Sequence, residues 1–370
     1  VIRKLAKELN MVLAYLERAK GNIVSNTDML QLAAEAEARA RGILFSSPRE
    51  LSGRILSAID ECLNEYEGEN SASFVDEWYR SADVASYDST AAAAAYLGAY
   101  GPRSILKYQE AVFALLVIKG RLPKHVRIID YGAGPCVGFG ALVDMLGVLH
   151  KCTGESLEIE YVGIDRSESM LEVGEHFCRC MKEKADIEAS YELVHVTDFA
   201  HDTAHMLIVA NVMNDGEGNL DCYPLLAPLV KAISGLEDIV VIEPATEQPS
   251  RQMCSLANTL GSVLHIGPCP SGESACTEWS FRQFYKRVYP LECRCLGQWA
   301  SAARVCKYSL ALMSTVSNPR PLPEDGRVVV GQPSASGWAM TCRQGQKQLM
   351  RIAPGVTPWD IVNGNGHLIR

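Results

Sequence analysis

Short apolar or alternating runs recur through the middle of the chain, and each run ends in polar or acidic residues. Runs of this kind are typical of strands buried in a parallel sheet. Stretches with helical spacing separate them, and this alternation predicts βαβ units around one sheet. The runs are residues 127–131, 160–165, 191–196, 206–210 and 239–243, with a later strand predicted at 307–316.

The chain on either side of these runs has a different pattern, which divides it into three predicted parts. Residues 1–118 show helical periodicity without any strand pattern, so we expect a helical cap domain. Short strands punctuated by glycine and proline, at 328–330 and 338–342, predict a small β-rich extension over residues 319–370. Residues 119–318 form the central domain. The predicted fold class is therefore α/β, with a Rossmann-like sheet, an N-terminal helical cap and a C-terminal β-rich extension.

The last helical stretch before the central domain carries polar-tipped side chains. An alanine run at 91–95 favours helix, and Gly101-Pro102 is expected to break that helix. Tyr100 and Arg103 flank the expected break. An arginine here could pair with a ligand carboxylate through its bidentate guanidinium, although a helix-surface role explains the same residue.

The first strand of the central domain runs into a glycine-rich turn and then a helix. Glycine lets the backbone pass close to a ligand because no Cβ stands in the way. The dinucleotide fingerprint G-x-G-x-x-G is incomplete, since Val137 holds the third glycine position and Gly138 comes one residue late. The ligand contacts predicted for this turn are Asp130, Tyr131, Gly132, Ala133 and Gly134.

The second strand ends in Asp165, where nucleotide-binding α/β folds place an acid that accepts hydrogen bonds from ribose hydroxyls. Arg166 follows it directly. Ser167 is then a helix cap, and it places Met170 where a side chain could lie under an adenine ring.

Polar residues also follow the later strands, and the carboxyl ends of parallel strands meet in one crevice. Asp198 and Phe199 combine an acid with an aromatic ring and could bracket an adenine, while a solvated loop explains them equally well. Asn211 opens a polar cluster that includes Asn214 and Asp215. We expect all of these side chains to face the same crevice.

Composition and charge restrict the partners of the chain. It has 370 residues, 48% of them hydrophobic, and no apolar run long enough to span a membrane. Its net charge of −9 argues against a wide nucleic-acid-binding face, because phosphate neutralisation needs a basic surface. The expected partner is a small-molecule substrate rather than nucleic acid or a ribosome, and the oligomeric state stays open.

The cysteines indicate a compartment. Thirteen cysteines without a compact regular framework favour free thiols in a reducing environment. We therefore expect a cytoplasmic protein. Because the chain begins at Val1 rather than Met, removal of a mitochondrial transit peptide remains compatible with the sequence.

The glycine turn followed by a strand-end acid resembles the class I S-adenosylmethionine-dependent methyltransferases. The resemblance implies that S-adenosylmethionine is the cofactor, held by the residues named above, with Arg103 near its methionyl carboxylate. Methyl transfer needs alignment of a nucleophile and exclusion of water. Asn214, Asp215 and Tyr100 are the candidate catalytic residues, because each could position the nucleophile or accept its proton.

Five segments carry a more particular resemblance, to the methyltransferase-like proteins associated with the small ribosomal subunit of mitochondria and bacteria. They are AYLGAYGPRSILKYQEAV, IIDYGAGP, VVIEPAT, IGPCPSGESACTEWSF and KYSLALMS. In that family the Pro-Cys-Pro loop and the tail supply cysteines to an iron–sulfur cluster. Cys269, Cys276 and Cys342 match as candidate metal ligands, but Ser280 replaces a fourth cysteine. The departure makes the cluster doubtful.

The predicted function is an S-adenosylmethionine-dependent enzyme that transfers a methyl group to N or O of a small molecule. Two alternatives stay open. S-adenosylmethionine could itself cyclise in the same pocket and release methylthioadenosine. The second alternative, which follows from the family resemblance, is a role as an assembly factor of the small ribosomal subunit.

Overall fold

The computed structural model describes residues 52–66, 89–119, 124–153, 156–197, 199, 202–212, 223–244, 260, 264–267, 285–288, 306–315, 324–329, 333–343, 346–356 and 361–368. Its helices are α1 (Gly53–Asn64), α2 (Thr90–Lys119), α3 (Val137–Thr153), α4 (Glu168–Glu183) and α5 (Tyr223–Ala232). The strands of the main sheet are β1 (His125–Tyr131), β2 (Glu158–Asp165), β3 (Glu188–His195), β5 (Met206–Ala210), β7 (Asp238–Pro244), β8 (Leu264–Gly267), β9 (Tyr285–Val288) and β10 (Cys306–Ser314). The short strands β4 (Asp202–Thr203) and β6 (Ile233–Ser234) pair with each other.

The main sheet has the order β3-β2-β1-β5-β7-β10-β8, and β9 also pairs with β10. The first five strands in this order are parallel, whereas β10 runs antiparallel to β7, β8 and β9. The predicted α/β fold with a Rossmann-like, largely parallel sheet is therefore confirmed. All five predicted runs form strands, and β10 corresponds to the late strand predicted at 307–316.

Each face of the sheet carries its own hydrophobic core. Consecutive residues of a strand point to opposite faces, so Ile128 joins one core and Ile129 joins the other. Helices α1 to α4 cover the Ile128 face, where Phe139 and Phe177 are fully buried. Leu226 of α5 packs on the Ile129 face. Apolar burial on both faces explains why the central strands are continuous hydrophobic runs.

The expected helix break at Gly101-Pro102 was wrong, because helix α2 continues through Pro102. Proline removes a backbone hydrogen bond and normally bends or ends a helix. Burial offsets this cost: Leu97 is fully buried, and Gly101 lies so close to Leu97 and Val137 that a Cβ would come within 3.0 and 3.4 Å of them. Tertiary packing therefore maintains a helix that local propensity disfavours.

A separate antiparallel sheet forms near the end of the chain, in the order β13-β12-β11-β14. Its strands are β11 (Arg327–Val329), β12 (Trp338–Arg343), β13 (Gln346–Arg351) and β14 (Ile361–Val362). Strands β11 and β12 correspond to the two strands predicted there. A small core that includes Val329, Met350 and Val362 lies beneath this sheet. The boundaries of the three predicted domains stay predictions, and residues 1–51 of the cap lie outside the described residues.

No helix within the described ranges combines the length and the apolar character needed to cross a membrane.

Candidate cofactor site

The glycine-rich turn between β1 and α3 adopts a backbone that only glycine accepts easily. Gly132 has φ +76° and Gly134 has φ +52°. The amides of Gly132 and Ala133 both donate to the Ile164 carbonyl, at 2.8 and 3.0 Å, and this fixes the turn to the end of β2. A Cβ on Gly132 would overlap the Val212 side chain, whereas a Cβ on Gly134 would meet no atom of the described residues within 4 Å. The turn is thus tightly packed at Gly132 and open at Gly134.

Asp165 lies directly across from this open position. Its Oδ2 accepts the Gly134 amide at 2.7 Å, and its Oδ1 accepts the Ser167 amide at 2.9 Å. An ionised carboxylate offers about four lone-pair sites, of which the described residues use about two. The half-buried carboxylate is therefore fixed in orientation and still able to accept a vicinal diol.

Asp130 is predicted to contact the cofactor, but the structure places its carboxyl in the core beneath the turn. The side chain is fully buried and accepts hydrogen bonds from Tyr161 Oη at 2.7 Å and Tyr108 Oη at 3.0 Å. A Cβ on Gly138 would overlap both Asp130 and Tyr108, so the glycine that comes one residue late makes room for this contact. In this geometry Asp130 supports the turn, and a direct ligand contact stays a prediction.

Burial determines the protonation of Asp130. Desolvation raises its pKa from 3.8 to about 7, although the two tyrosine hydrogen bonds act in the opposite direction and the Asp165 charge adds to the increase. The same buried cluster raises the pKa of Tyr108 and Tyr161 well above the usual range, mainly by desolvation and then by the Asp130 charge. A carboxyl group that is partly protonated near neutral pH therefore lies under the glycine turn.

The segment after β3 is attached to the segment after β2 through His195, which no sequence motif indicated. Its Nε2 lies 2.9 Å from the Arg166 carbonyl oxygen, and its Nδ1 lies 2.7 Å from Thr197 Oγ1. The Val196 amide also donates to the Asp165 carbonyl at 2.9 Å. A histidine at a strand end was the available signal, but its two partners cannot be inferred from spacing.

The remaining predicted contacts on the β2 and β3 side have different exposures. Arg166 is exposed, while the Met170 side chain is only 3% exposed and belongs to the core. Phe199 is half-buried and packs against the opposite core, and Asp198 lies outside the described residues. The adenine contacts assigned to these residues stay predictions.

The ends of β5 and β7 meet beside the glycine turn, as the parallel sheet predicted. Asn211 has φ +58°, a left-handed conformation that asparagine tolerates better than most residues, and its amide donates to the Ile242 carbonyl at 2.8 Å. The Val212 amide donates to Glu243 Oε1 at 2.9 Å, and Glu243 is fully buried. The candidate catalytic residues Asn214 and Asp215 follow directly but lie outside the described residues.

The other predicted groups, Tyr100 and Arg103, belong to helix α2. They flank Gly101, which packs against Val137, the first residue of α3. Both side chains are half-buried, and the Tyr100 ring lies 5.0 Å from that of Tyr96. Their assigned roles stay predictions.

The candidate metal ligands are not assembled within the described part of the chain. Cys269 and Cys276 lie outside it, and so does Ser280. Cys342 is a buried cysteine in β12, opposite Val328 of β11. The prediction about an iron–sulfur cluster therefore remains untested.

Comparison with known proteins gives similarities of structure alone. No family model and no curated protein matches the chain. It is similar to a Listeria monocytogenes protein assigned to the class I S-adenosylmethionine-dependent methyltransferases, with 10% identity, 79% of this chain and 90% of that chain covered, and a TM-score of 0.40.

Two other solved structures are similar at comparable levels. A TehB-like methyltransferase from Corynebacterium glutamicum has 12% identity over 66% of this chain and 97% of that chain, with a TM-score of 0.29. A dimethyladenosine transferase from Plasmodium falciparum has 10% identity over 58% and 61% of the two chains, with a TM-score of 0.30. At these levels we infer function from this chain's own site.

Proposed function

We propose that this chain is an S-adenosylmethionine-dependent transferase of the methyltransferase type. The observation that carries the proposal is the Asp165 carboxylate, oriented by the Gly134 amide at 2.7 Å and located beside an open left-handed turn. An acid in this position accepts hydrogen bonds from the ribose hydroxyls in nucleotide-binding α/β folds. The open space at Gly134 gives the rest of a nucleoside-like ligand room to approach.

Two features argue against a nicotinamide dinucleotide in this crevice. Dinucleotide-binding sheets have the order 3-2-1-4-5-6 and are mostly parallel, whereas here the antiparallel β10 is inserted between β7 and β8. The third glycine of the fingerprint is also replaced by Val137, which begins α3. Both departures favour a nucleoside cofactor without the second nucleotide.

In the proposed binding arrangement, residues from different elements bind different parts of the cofactor. Asp165 would hold the ribose, Phe199 and Asp198 would flank the adenine, and Arg103 would pair with the methionyl carboxylate. When bound, S-adenosylmethionine supplies an electrophilic methyl group on its sulfonium. The contribution of the chain is to orient the cofactor and the acceptor and to exclude water between them.

We propose a small molecule with a nitrogen or oxygen nucleophile as the acceptor. The net charge of −9 supports this choice, because a nucleic-acid acceptor is usually bound by a basic surface. Tyr100 would position the nucleophile from the α2 side, and Asn214 and Asp215 would do so from the segment after β5.

Calorimetry with S-adenosylmethionine tests the cofactor assignment. We expect the wild type to bind S-adenosylmethionine, and Asp165→Asn to bind it about tenfold or more weakly because a charged acceptor is removed. The control Asp60→Asn, which alters an exposed residue of α1, should keep the wild-type affinity. Absence of wild-type binding, or equal affinity of Asp165→Asn and wild type, would overturn the proposal.

Mass spectrometry after incubation with S-adenosylmethionine tests the reaction. Formation of S-adenosylhomocysteine with amine or hydroxyl acceptors supports methyl transfer. Methylthioadenosine formed without any acceptor would replace methyl transfer by the intramolecular reaction.

A further inference from the structure

His195, the last residue of β3, has a defined proton arrangement. The Arg166 carbonyl can only accept, so His195 Nε2 donates to it across 2.9 Å. The Thr197 amide donates to Nδ1 across 3.4 Å, which assigns the proton of the donating nitrogen to Nε2. The Thr197 hydroxyl at 2.7 Å then donates to the same nitrogen. The imidazole is therefore an acceptor for one segment and a donor to another.

These two segments are the ones that the proposed adenosine site uses. The Arg166 side of the imidazole adjoins Asp165, whose carboxylate holds the Gly134 amide. The Thr197 side leads to Asp198 and Phe199. The Val196 amide adds a further bond to the Asp165 carbonyl at 2.9 Å. A continuous path of hydrogen bonds thus runs from the glycine turn through the end of β2 to the segment after β3.

We propose that His195 is a positioning residue for the adenosine half of the cofactor, acting through Arg166 and Thr197 rather than by touching the ligand. The inference rests on the proposed function. Both segments follow strand ends, and Arg166 and Thr197 are exposed. Without the imidazole, ligand binding would have to order these segments, and that entropy cost appears as lost affinity.

The proposed effect concerns the adenosine half of the ligand, so adenosine alone should show it as fully as the whole cofactor. A ligand that contains only adenosine meets the same two segments as the full cofactor. We therefore expect His195→Ala to weaken S-adenosylmethionine and adenosine by the same factor, about five- to tenfold for the loss of one or two hydrogen bonds.

Thr197 provides a matched pair of variants that leaves the imidazole in place. Thr197→Val removes the hydroxyl donor and keeps the branched shape, whereas Thr197→Ser keeps the donor. We expect Thr197→Val to lose affinity about threefold or more and Thr197→Ser to bind as wild type does. Because Thr197 is exposed, both variants should keep the wild-type melting temperature.

Calorimetric titration of the wild type and the three variants with S-adenosylmethionine and with adenosine tests the inference. Equal losses for both ligands in His195→Ala and Thr197→Val, restored in Thr197→Ser, support it. Wild-type affinity in His195→Ala or Thr197→Val, or a loss seen with S-adenosylmethionine alone, overturns it and leaves the proposed function standing. Failure of the wild type to bind either ligand overturns both.

Discussion

Replacing Asp130 with asparagine is expected to change how the stability of the protein depends on pH. The carboxyl is fully buried, its pKa is raised to about 7 by desolvation, and two tyrosine hydroxyls lie within 3.0 Å of its oxygens. Asparagine has nearly the same shape and can bond both hydroxyls, but it cannot ionise. The substitution therefore removes the titration while leaving the packing around Gly138 in place.

The sign follows from the two pKa values. The unfolded chain releases the Asp130 proton near 3.8, whereas the folded chain retains it until about 7. Between these values the folded state binds more protons, so the free energy of unfolding falls as pH rises. The full difference corresponds to about 4 kcal/mol, and about 2.5 kcal/mol of it falls between pH 5 and 8.

Urea denaturation at a series of pH values from 5 to 8 measures the difference. We expect the wild type to lose about 2.5 kcal/mol more than Asp130→Asn over this range, and the variant to be the more stable protein at pH 8. Asp60→Asn, on the exposed face of α1, is the control and should follow the wild type. Parallel curves for wild type and Asp130→Asn would refute the reasoning, because they would mean that Asp130 ionises at its ordinary pKa.

Three further predictions concern the glycine turn, the ion pairs of Arg127 in β1 and the buried Cys62 of α1. Gly132→Ala forces a Cβ into the Val212 side chain at φ +76°, and urea titration should show that the free energy of unfolding falls by about 2–4 kcal/mol. Gly134→Ala, whose Cβ meets no described atom, should lower it by about 1 kcal/mol, and equal losses in the two variants would contradict the steric argument. Arg127→Met removes partly exposed ion pairs to Glu160 and Asp202, so we expect the free energy of unfolding to fall by about 1 kcal/mol, and by less at high salt. A loss that does not depend on salt would show that the ion pairs are not its cause. Burial, and to a smaller extent the nearby Cys180, raises the pKa of Cys62 to about 12. Iodoacetamide at pH 8 should therefore label Cys62 only after denaturation, which peptide mass spectrometry can measure, and rapid labelling of the folded protein would disprove its burial.

Much of the central sheet could be predicted because its signals are local. Buried strands appear as short apolar runs, and helical spacing separates them, so the five parallel strands β1, β2, β3, β5 and β7 follow from periodicity, whereas the two-residue strands β4 and β6 do not. Gly132 and Gly134 indicated a turn that lets the backbone approach a ligand, because glycine has no Cβ, and the structure adds that both have positive φ. Asp165 was identifiable because parallel strands place their carboxyl ends together.

Other features depend on residues that are far apart in the chain. Gly101-Pro102 indicated a helix break, yet packing against Leu97 and Val137 keeps α2 continuous. The insertion of β10 between β7 and β8 could not be inferred from strand order, because sequence proximity does not determine which edge a late strand joins. The partners of His195 were equally inaccessible, since one is a backbone carbonyl on another strand end.

The sequence by itself determined the parallel sheet, the glycine turn and the acid that faces it, because periodicity and backbone conformational limits are properties of neighbouring residues. Only the tertiary structure decided that the Asp130 carboxyl is fully buried and accepts hydrogen bonds from Tyr108 and Tyr161. Tyr108 and Tyr161 are separated from it by 22 and 31 positions. Whether an acid at a strand end meets a ligand or a buried hydroxyl depends on which face its side chain takes and on what packs there, and both are set by contacts between distant elements.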